Sequence, residues 1–102
     1  MKNNDLHCLF RELIELNKEQ YRYLGIEIEK IINNKIKDEK YIEKILDGML
    51  DVLFSYETEE TLSTFRKLCK YYYGINPKAT SDYIKFYMEI NDIEEIKTLL
   101  KQ

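Results

Sequence analysis

Residues 61–90 constrain the fold most, because they contain the signals for two consecutive helices joined by a very short turn. The first helix has an apolar face whose members recur at steps of three and four, namely Leu62, Phe65, Cys69 and Tyr72. Gly74 predicts the end of this helix in a left-handed conformation. Asn76 and Pro77 predict the start of the second helix, because asparagine caps free backbone amides and proline fits the first helical position. A helical hairpin that carries most of the aromatic surface is therefore expected.

The rest of the chain shows the same helical spacing of apolar residues. Residues 5–32 predict one long amphipathic helix, or two in line, since Gly25 lies inside the pattern and costs about 1 kcal/mol relative to alanine there. Asp38 predicts the N-cap of a helix that ends near Ser55. Thr58 predicts the N-cap of the helix that follows.

The end of the chain predicts one more short helix. Asp92, followed three residues later by Glu95, resembles a capping box. Three glycines and one proline in 102 residues leave little sequence for long loops. A chain of this length forms one domain and buries enough surface to fold without metals or disulfides. The predicted fold is therefore all-α, an antiparallel bundle of four or five helices in a single domain that spans residues 1–102.

The residues that usually carry catalysis or bind metals are scarce. His7 is the only histidine, and the neighbouring Cys8 would point about 100° away from it on a helix. Cys8 and Cys69 do not have the spacing of metal ligands, and both are interpreted as structural. The three glycines stand apart from one another, so there is no glycine-rich phosphate loop. No enzyme activity, metal or cofactor is expected.

Composition also suggests where the protein works. No apolar run approaches the length of a membrane span, and the first residues lack the apolar core of a signal peptide, so a cytoplasmic protein without a membrane partner is expected. Lysine outnumbers arginine thirteen to three, and Ile, Asn and Tyr are abundant. This bias is typical of genomes rich in A and T codons and hints at a low-GC bacterium or one of its mobile elements.

Charge is distributed unevenly along a chain whose net charge is −3. Residues 38–60 carry eight acidic and two basic side chains, which makes them a second candidate surface, for a basic partner. Residues 61–86 carry five cations and only Asp82 as an acid. The basic segment thus coincides with the aromatic hairpin.

This coincidence gives an alternative function. Residues 69–83, with a glycine, an apolar residue, a polar cap and a second helix in succession, resemble a helix-turn-helix motif. The resemblance implies a DNA-binding regulator that uses residues 66–85. Its candidate nucleic-acid contacts are Arg66, Lys67, Lys70, Lys78, Ser81 and Lys85. An acidic protein with three arginines would bind phosphate weakly overall, so DNA binding ranks second.

The preferred interpretation starts from three consecutive tyrosines, Tyr71, Tyr72 and Tyr73. They span about 200° of a helix, so if Tyr72 is buried the other two lie at the edges of the core. They can surround the core with their hydroxyls in water, or they can form a contact patch. The predicted partner-binding residues are Tyr71, Tyr73, Ile84, Tyr87 and Met88. The expected function is a small non-catalytic interaction or regulatory protein that docks a helical aromatic surface on a protein partner, with a homodimer also compatible.

Overall fold

Four α-helices make up the protein in the computed structural model, which describes the backbone of residues 2–101 and the side chains of residues 8, 9 and 11–89. The helices are α1 (Lys2–Asn33), α2 (Glu39–Ser55), α3 (Glu59–Tyr73) and α4 (Pro77–Lys101). No strand occurs within the described backbone. The predicted all-helical class is confirmed, and connections of three to five residues join the helices. Over the described residues, no helix combines the length and apolar character that a membrane span requires.

Three predicted helix starts are confirmed by their caps. Asp38, Thr58 and Asn76 each accept a hydrogen bond from the backbone amide three residues later, at 3.3, 3.1 and 3.0 Å. At Thr58 the cap is reciprocal, because its own N–H donates to the hydroxyl of Thr61 at 2.8 Å. Each cap satisfies an amide that has no partner inside its helix, which explains why these short polar side chains set the starts.

The predicted left-handed conformation of Gly74 is wrong. Gly74 has φ −68°, a right-handed value, and the chain leaves α3 through a tight turn in which the amides of Ile75 and Asn76 both donate to the carbonyl of Tyr72. The left-handed residue is instead Lys35, with φ 51°, at the end of α1. There the amide of Ile36 reaches back five residues to the carbonyl of Ile31 at 2.9 Å, which is the closure of a Schellman motif.

The long helices are continuous. α1 passes through Gly25 without a break, and a Cβ atom added at Gly25 would meet nothing within 4 Å. α4 likewise runs past Asp92, so the predicted separate last helix is wrong, while the side chains of Asp92 and Glu95 lie outside the described residues. At 1.5 Å per residue, α1 is about 48 Å long. Its length accounts for the longest dimension of the molecule, 51 Å.

The core is centred on α2, which contacts the other three helices. Its buried residues are Ile42, Ile45, Leu46, Met49, Leu50, Val52 and Leu53. α1 contributes Leu24, Ile28 and Ile31 to the same cluster, and α3 contributes mainly Phe65, Leu68 and Tyr72. α1 and α2 approach closely where Leu24 lies over Gly48, since a Cβ atom at Gly48 would come within 2.9 Å of the Leu24 side chain.

Tyrosine hydroxyls join the helices at the edge of this core. Tyr41 of α2 donates to the carboxylate of Glu27 on α1, which raises the pKa of the phenol to about 12. Tyr72 is fully buried and donates to Glu43 on α2, and desolvation by burial followed by this hydrogen bond raises its pKa. The hydroxyl of Tyr21 bonds that of Thr64 at 2.8 Å. These phenols act as polar links between helices.

The first half of α1 extends beyond the core. Among its described side chains, the apolar residues Leu9, Leu13, Ile14 and Leu16 are all exposed, and the first buried one is Leu24. We call residues 9–19 the arm. Exposure of apolar side chains to water is unfavourable, and an exposed apolar strip of this kind marks an interaction surface. The arm is therefore a candidate interaction surface.

Candidate functional site

An open groove of about 480 Å³ lies between α3 and α4. The residues that line it are Leu62, Phe65, Arg66, Cys69, Lys70, Tyr73, Thr80, Ile84, Tyr87 and Met88. We call it the α3–α4 groove. Most of its lining is apolar, and three of its apolar side chains, Tyr73, Ile84 and Met88, are exposed in the free molecule. It is therefore a formed surface with no occupant among the described side chains.

Helix register explains how two sequence segments make one groove. On α3, Phe65 and Cys69 are four residues apart and point to the floor, while Arg66, Lys70 and Tyr73 follow the adjacent strip that forms the rim. The opposite wall comes from α4 at the same helical spacing, through Thr80, Ile84, Tyr87 and Met88.

One ring contact joins α3 to α4 across the groove, and one hydrogen bond within α4 satisfies a buried hydroxyl of its wall. The rings of Phe65 and Tyr87 are tilted at 39° with their centroids 5.7 Å apart, a favourable arrangement for an aromatic pair. The hydroxyl of Thr80, which is 1% exposed, donates to the carbonyl of Asn76 at 2.9 Å. The polar atom of this buried side chain is thereby satisfied, so Thr80 adds no unpaired polar group to the α4 wall.

The groove is basic as well as apolar. Arg66 and Lys70 are its only charged lining residues, and neither has an acidic partner among the described side chains. Burial raises the pKa of the Cys69 thiol to about 11, so this thiol is neutral near pH 7 and contributes to the floor as a small apolar group. The groove can therefore accept an apolar surface flanked by negative charge.

The structure brings together four of the five predicted partner-binding residues. Tyr73, Ile84, Tyr87 and Met88 all line the α3–α4 groove. Tyr71 does not: it is half-buried, and its hydroxyl donates to the carbonyl of Ile36 at 2.7 Å in the connection between α1 and α2. Two residues correspond to about 200° of rotation around a helix, which places Tyr71 and Tyr73 on different sides of α3.

Tyr87 serves both the groove and the fold. Its ring forms part of the groove wall, and its hydroxyl donates to the carboxylate of Glu57, just before α3. It ties α4 to the connection between α2 and α3. A change at Tyr87 would therefore alter packing as well as docking, which makes Met88, exposed to 57%, the better position for testing the groove.

The six predicted nucleic-acid contacts fall on two helices, three on α3 and three on α4. Arg66 and Lys70 belong to the groove, and Lys67 bonds Glu29 of α1 at 2.6 Å, which lowers the pKa of that carboxyl. The remaining three are exposed on α4 at steps of three and four, along the strip Lys78, Ser81 and Lys85. The six residues thus form one strip on each of the two helices.

Acidic side chains lie beside the start of α4. The side-chain amide of Asn76 donates to Glu39 at 2.7 Å, and the hydroxyl of Tyr72 donates to Glu39 at 3.3 Å and to Glu43. Part of the acidic segment 38–60 is therefore engaged inside the protein. These carboxylates would also repel a phosphate that approached the N-terminus of α4.

The described side chains contain no cluster of three or more His, Cys, Asp or Glu residues that could hold a metal ion. The side chain of His7 lies outside the described residues, and the neighbouring Cys8 is an exposed free thiol. No match was found among protein family models, curated proteins or solved structures. The functional proposal therefore rests on the geometry of the groove alone.

Some of the site was not identified from the sequence. Leu62 and Thr80 were not predicted to line a binding surface, although Thr80 shares the helical register of Ile84 and Tyr87. A second apolar spot beside α2 was also missed, where the exposed Phe86 lies next to Leu50 and is flanked by acids. The helical spacing of the apolar residues in α4 indicates a contact helix. That spacing does not predict which side of α4 packs against α3.

Proposed function

We propose that this protein is a small non-catalytic docking module that binds a helix of a protein partner in the α3–α4 groove. The observation that carries the proposal is the groove itself, which is open, apolar and already formed, with exposed Ile84 and Met88 on one wall. A cleft between two helices suits a third amphipathic helix, whose residues at steps of three and four enter the cleft. Arg66 and Lys70 then favour a helix that bears carboxylates beside its apolar strip.

The proposed scaffold is an antiparallel four-helix bundle that forms a single domain over residues 1–102. Hydrogen bonds between α1 and α2 support this arrangement, because Asn17 pairs with Ser55 at 3.1 Å while Glu27, farther along α1, pairs with Tyr41 near the start of α2. Short connections make sequential helices neighbours. On such a frame the groove is formed before a partner binds, so docking requires little ordering of the protein.

We propose that the protein is cytoplasmic and regulatory. We also propose that it comes from a low-GC bacterium or a mobile element of one. Composition supports the origin, through the excess of lysine over arginine. The DNA-binding alternative has less support. Its six contact residues lie in two strips on different helices, and Lys67 is engaged with Glu29. The carboxylate of Glu39 in α2 also bonds Asn76 at the start of α4, the helix that would read the DNA.

Site-specific photocrosslinking in cells that express the protein tests the proposal. Benzoylphenylalanine replaces Met88 in the groove, and the matched control places it at Lys44, an exposed residue of α2 outside the groove. We expect a protein adduct from position 88 and none from position 44. An adduct of position 88 that also forms in the Ile84→Glu background would contradict groove docking, as would crosslinks to nucleic acid only or the absence of any adduct.

A further inference from the structure

The arm presents an exposed apolar strip whose chemical character suits the apolar α3–α4 groove. Leu9, Leu13 and Leu16 follow one another at steps of four and three, and each is more than half exposed. Residues at these steps form one strip along a helix. The strip spans the eight residues 9–16, which is about 10 Å of helix between the first and last leucine.

A strip of carboxylates lies beside these leucines. Glu12, Glu15 and Glu19 are exposed and also follow at steps of three and four. From the rotation of 100° per residue, this acidic strip lies about 90° around the helix from the leucine strip. The arm is therefore an apolar edge flanked on one side by negative charge, the chemistry that the groove accepts.

The charged positions also match in spacing. Arg66 and Lys70 are four residues apart on the groove rim, and Glu15 and Glu19 are four residues apart on the arm. Both pairs span about 6 Å along a helix. A helix laid along the groove can thus place its leucines against the apolar floor and both carboxylates opposite both cations. The one ion pair described within the arm, Glu15 with Lys18 at 3.7 Å, is exposed and weak.

The arm of a molecule cannot reach the groove of the same molecule. α1 is a single continuous helix that contacts a different side of α3, through Tyr21 with Thr64 and through Glu29 with Lys67. Bending the arm back would break this helix. The described parts of α1 and α4 make no contact with each other. A second copy of the chain has no such restriction.

We propose that the α3–α4 groove binds the arm of a second copy of this chain, so that two molecules form a dimer by reciprocal exchange of arms. The inference rests on the proposed function of the groove and names its occupant. In the dimer each molecule covers both apolar surfaces of the other, which removes the exposed leucines of the arm and the exposed wall of α4 from water together. The exchange is closed and symmetric, so it stops at two chains.

Charge exchange between two variants tests the dimer. The groove variant carries Arg66→Glu with Lys70→Glu, and the arm variant carries Glu15→Lys with Glu19→Lys, all at exposed positions. The dimer mass of each protein is measured by light scattering and sedimentation at several concentrations. We expect wild type to be dimeric, and each variant alone to have a dissociation constant at least about tenfold higher. An equimolar mixture of the two variants should dimerise again, because each acidic arm then meets a basic groove and each basic arm meets an acidic groove.

The matched control is Lys78→Glu with Lys85→Glu, at two exposed positions of α4 outside the groove. It changes the net charge by the same amount as the groove variant and should leave the dimer intact. Circular dichroism confirms that every variant is folded. The inference is overturned if wild type is monomeric at about 100 µM, well above the micromolar affinity expected of a small interface. It is also overturned if the groove variant dimerises like wild type, or if mixing restores nothing.

The photocrosslink at position 88 separates the two proposals. An adduct at twice the chain mass of 12.4 kDa, joined to a peptide of the arm, supports both. An adduct with a different protein, together with a monomeric wild type, retains the docking function and removes the second copy as occupant.

Discussion

Replacing Tyr72 with phenylalanine should destabilise the protein at neutral pH. The difference in stability between the two proteins should disappear at alkaline pH. The ring of Tyr72 is 0% exposed and phenylalanine retains its packing, so the substitution removes mainly the hydroxyl bonded to Glu43 and Glu39. A hydrogen bond to a charged group contributes about 1.5–3 kcal/mol. Because Glu43 is half-buried and water can reach it, we expect the free energy of unfolding to fall by about 2 kcal/mol at pH 7.

The pH dependence follows from the raised pKa of the buried phenol. Burial and the neighbouring carboxylates raise the pKa of Tyr72 in the folded state above the ordinary value of 10.0. Between the two pKa values the unfolded chain has released this proton and the folded chain has kept it, so the free energy of unfolding falls as pH rises, by at most about 1.4 kcal/mol per pH unit. Wild type therefore loses stability through this residue as pH rises from 10 towards 11.5. The phenylalanine variant loses none through it, so the two proteins should converge.

Urea unfolding followed by circular dichroism from pH 7 to pH 11.5, with reductant present for the free thiols, measures both effects. Tyr73→Phe is the matched control, since it deletes an exposed hydroxyl from the next residue and should change stability by less than about 0.5 kcal/mol at pH 7. A difference between wild type and Tyr72→Phe that stays constant over the whole pH range would refute the reasoning.

Two further predictions concern the backbone. Lys35→Gly should raise the free energy of unfolding by about 0.5–1 kcal/mol, because φ 51° is strained for lysine and free for glycine; a loss of stability in urea unfolding would argue against this conformation. Gly25→Ala should stabilise by up to about 1 kcal/mol in thermal unfolding, since the new methyl group meets open space. Gly48→Ala should gain less than Gly25→Ala, because its methyl group would lie 2.9 Å from buried Leu24. Equal gains at the two glycines would show that this close approach of α1 and α2 is absent.

The groove illustrates how far a helical pattern predicts a binding surface. Ile84 and Met88 were identified because α4 carries apolar residues around more than half of its circumference, too many for one buried face. Which of them would stay exposed depended on where α3 and α2 pack. Tyr83 is half-buried, with its hydroxyl 3.3 Å from the carbonyl of Glu43 on α2, whereas Met88 points past α3 into the groove.

The tyrosines illustrate the opposite case. The run Tyr71–Tyr73 suggested a contact patch, yet several tyrosine hydroxyls form specific links between helices, to Glu27, Glu43 and Glu57. Each of these partners is separated from its tyrosine by 14 or more residues in the chain. Such pairs form only when two helices meet in one register, and spacing along a single helix does not predict that register.

The sequence by itself determined where α2, α3 and α4 begin. Asp38, Thr58 and Asn76 each cap a backbone amide three residues away, so the interaction is complete within one turn and needs no other part of the molecule. The end of α3 near Gly74 was also predicted, although the conformation assigned to that glycine was wrong.

Only the tertiary structure decided which faces became buried. Tyr71, Tyr72 and Tyr73 are chemically alike, but the three point about 100° apart around α3. The packing of α2 buries Tyr72, the connection from α1 takes the hydroxyl of Tyr71, and Tyr73 is left at the rim of the groove. Helix formation depends on neighbouring residues, whereas burial depends on which distant helices pack on each side. This is why the sequence predicted the caps, and predicted several residues of the groove without predicting the groove that they form.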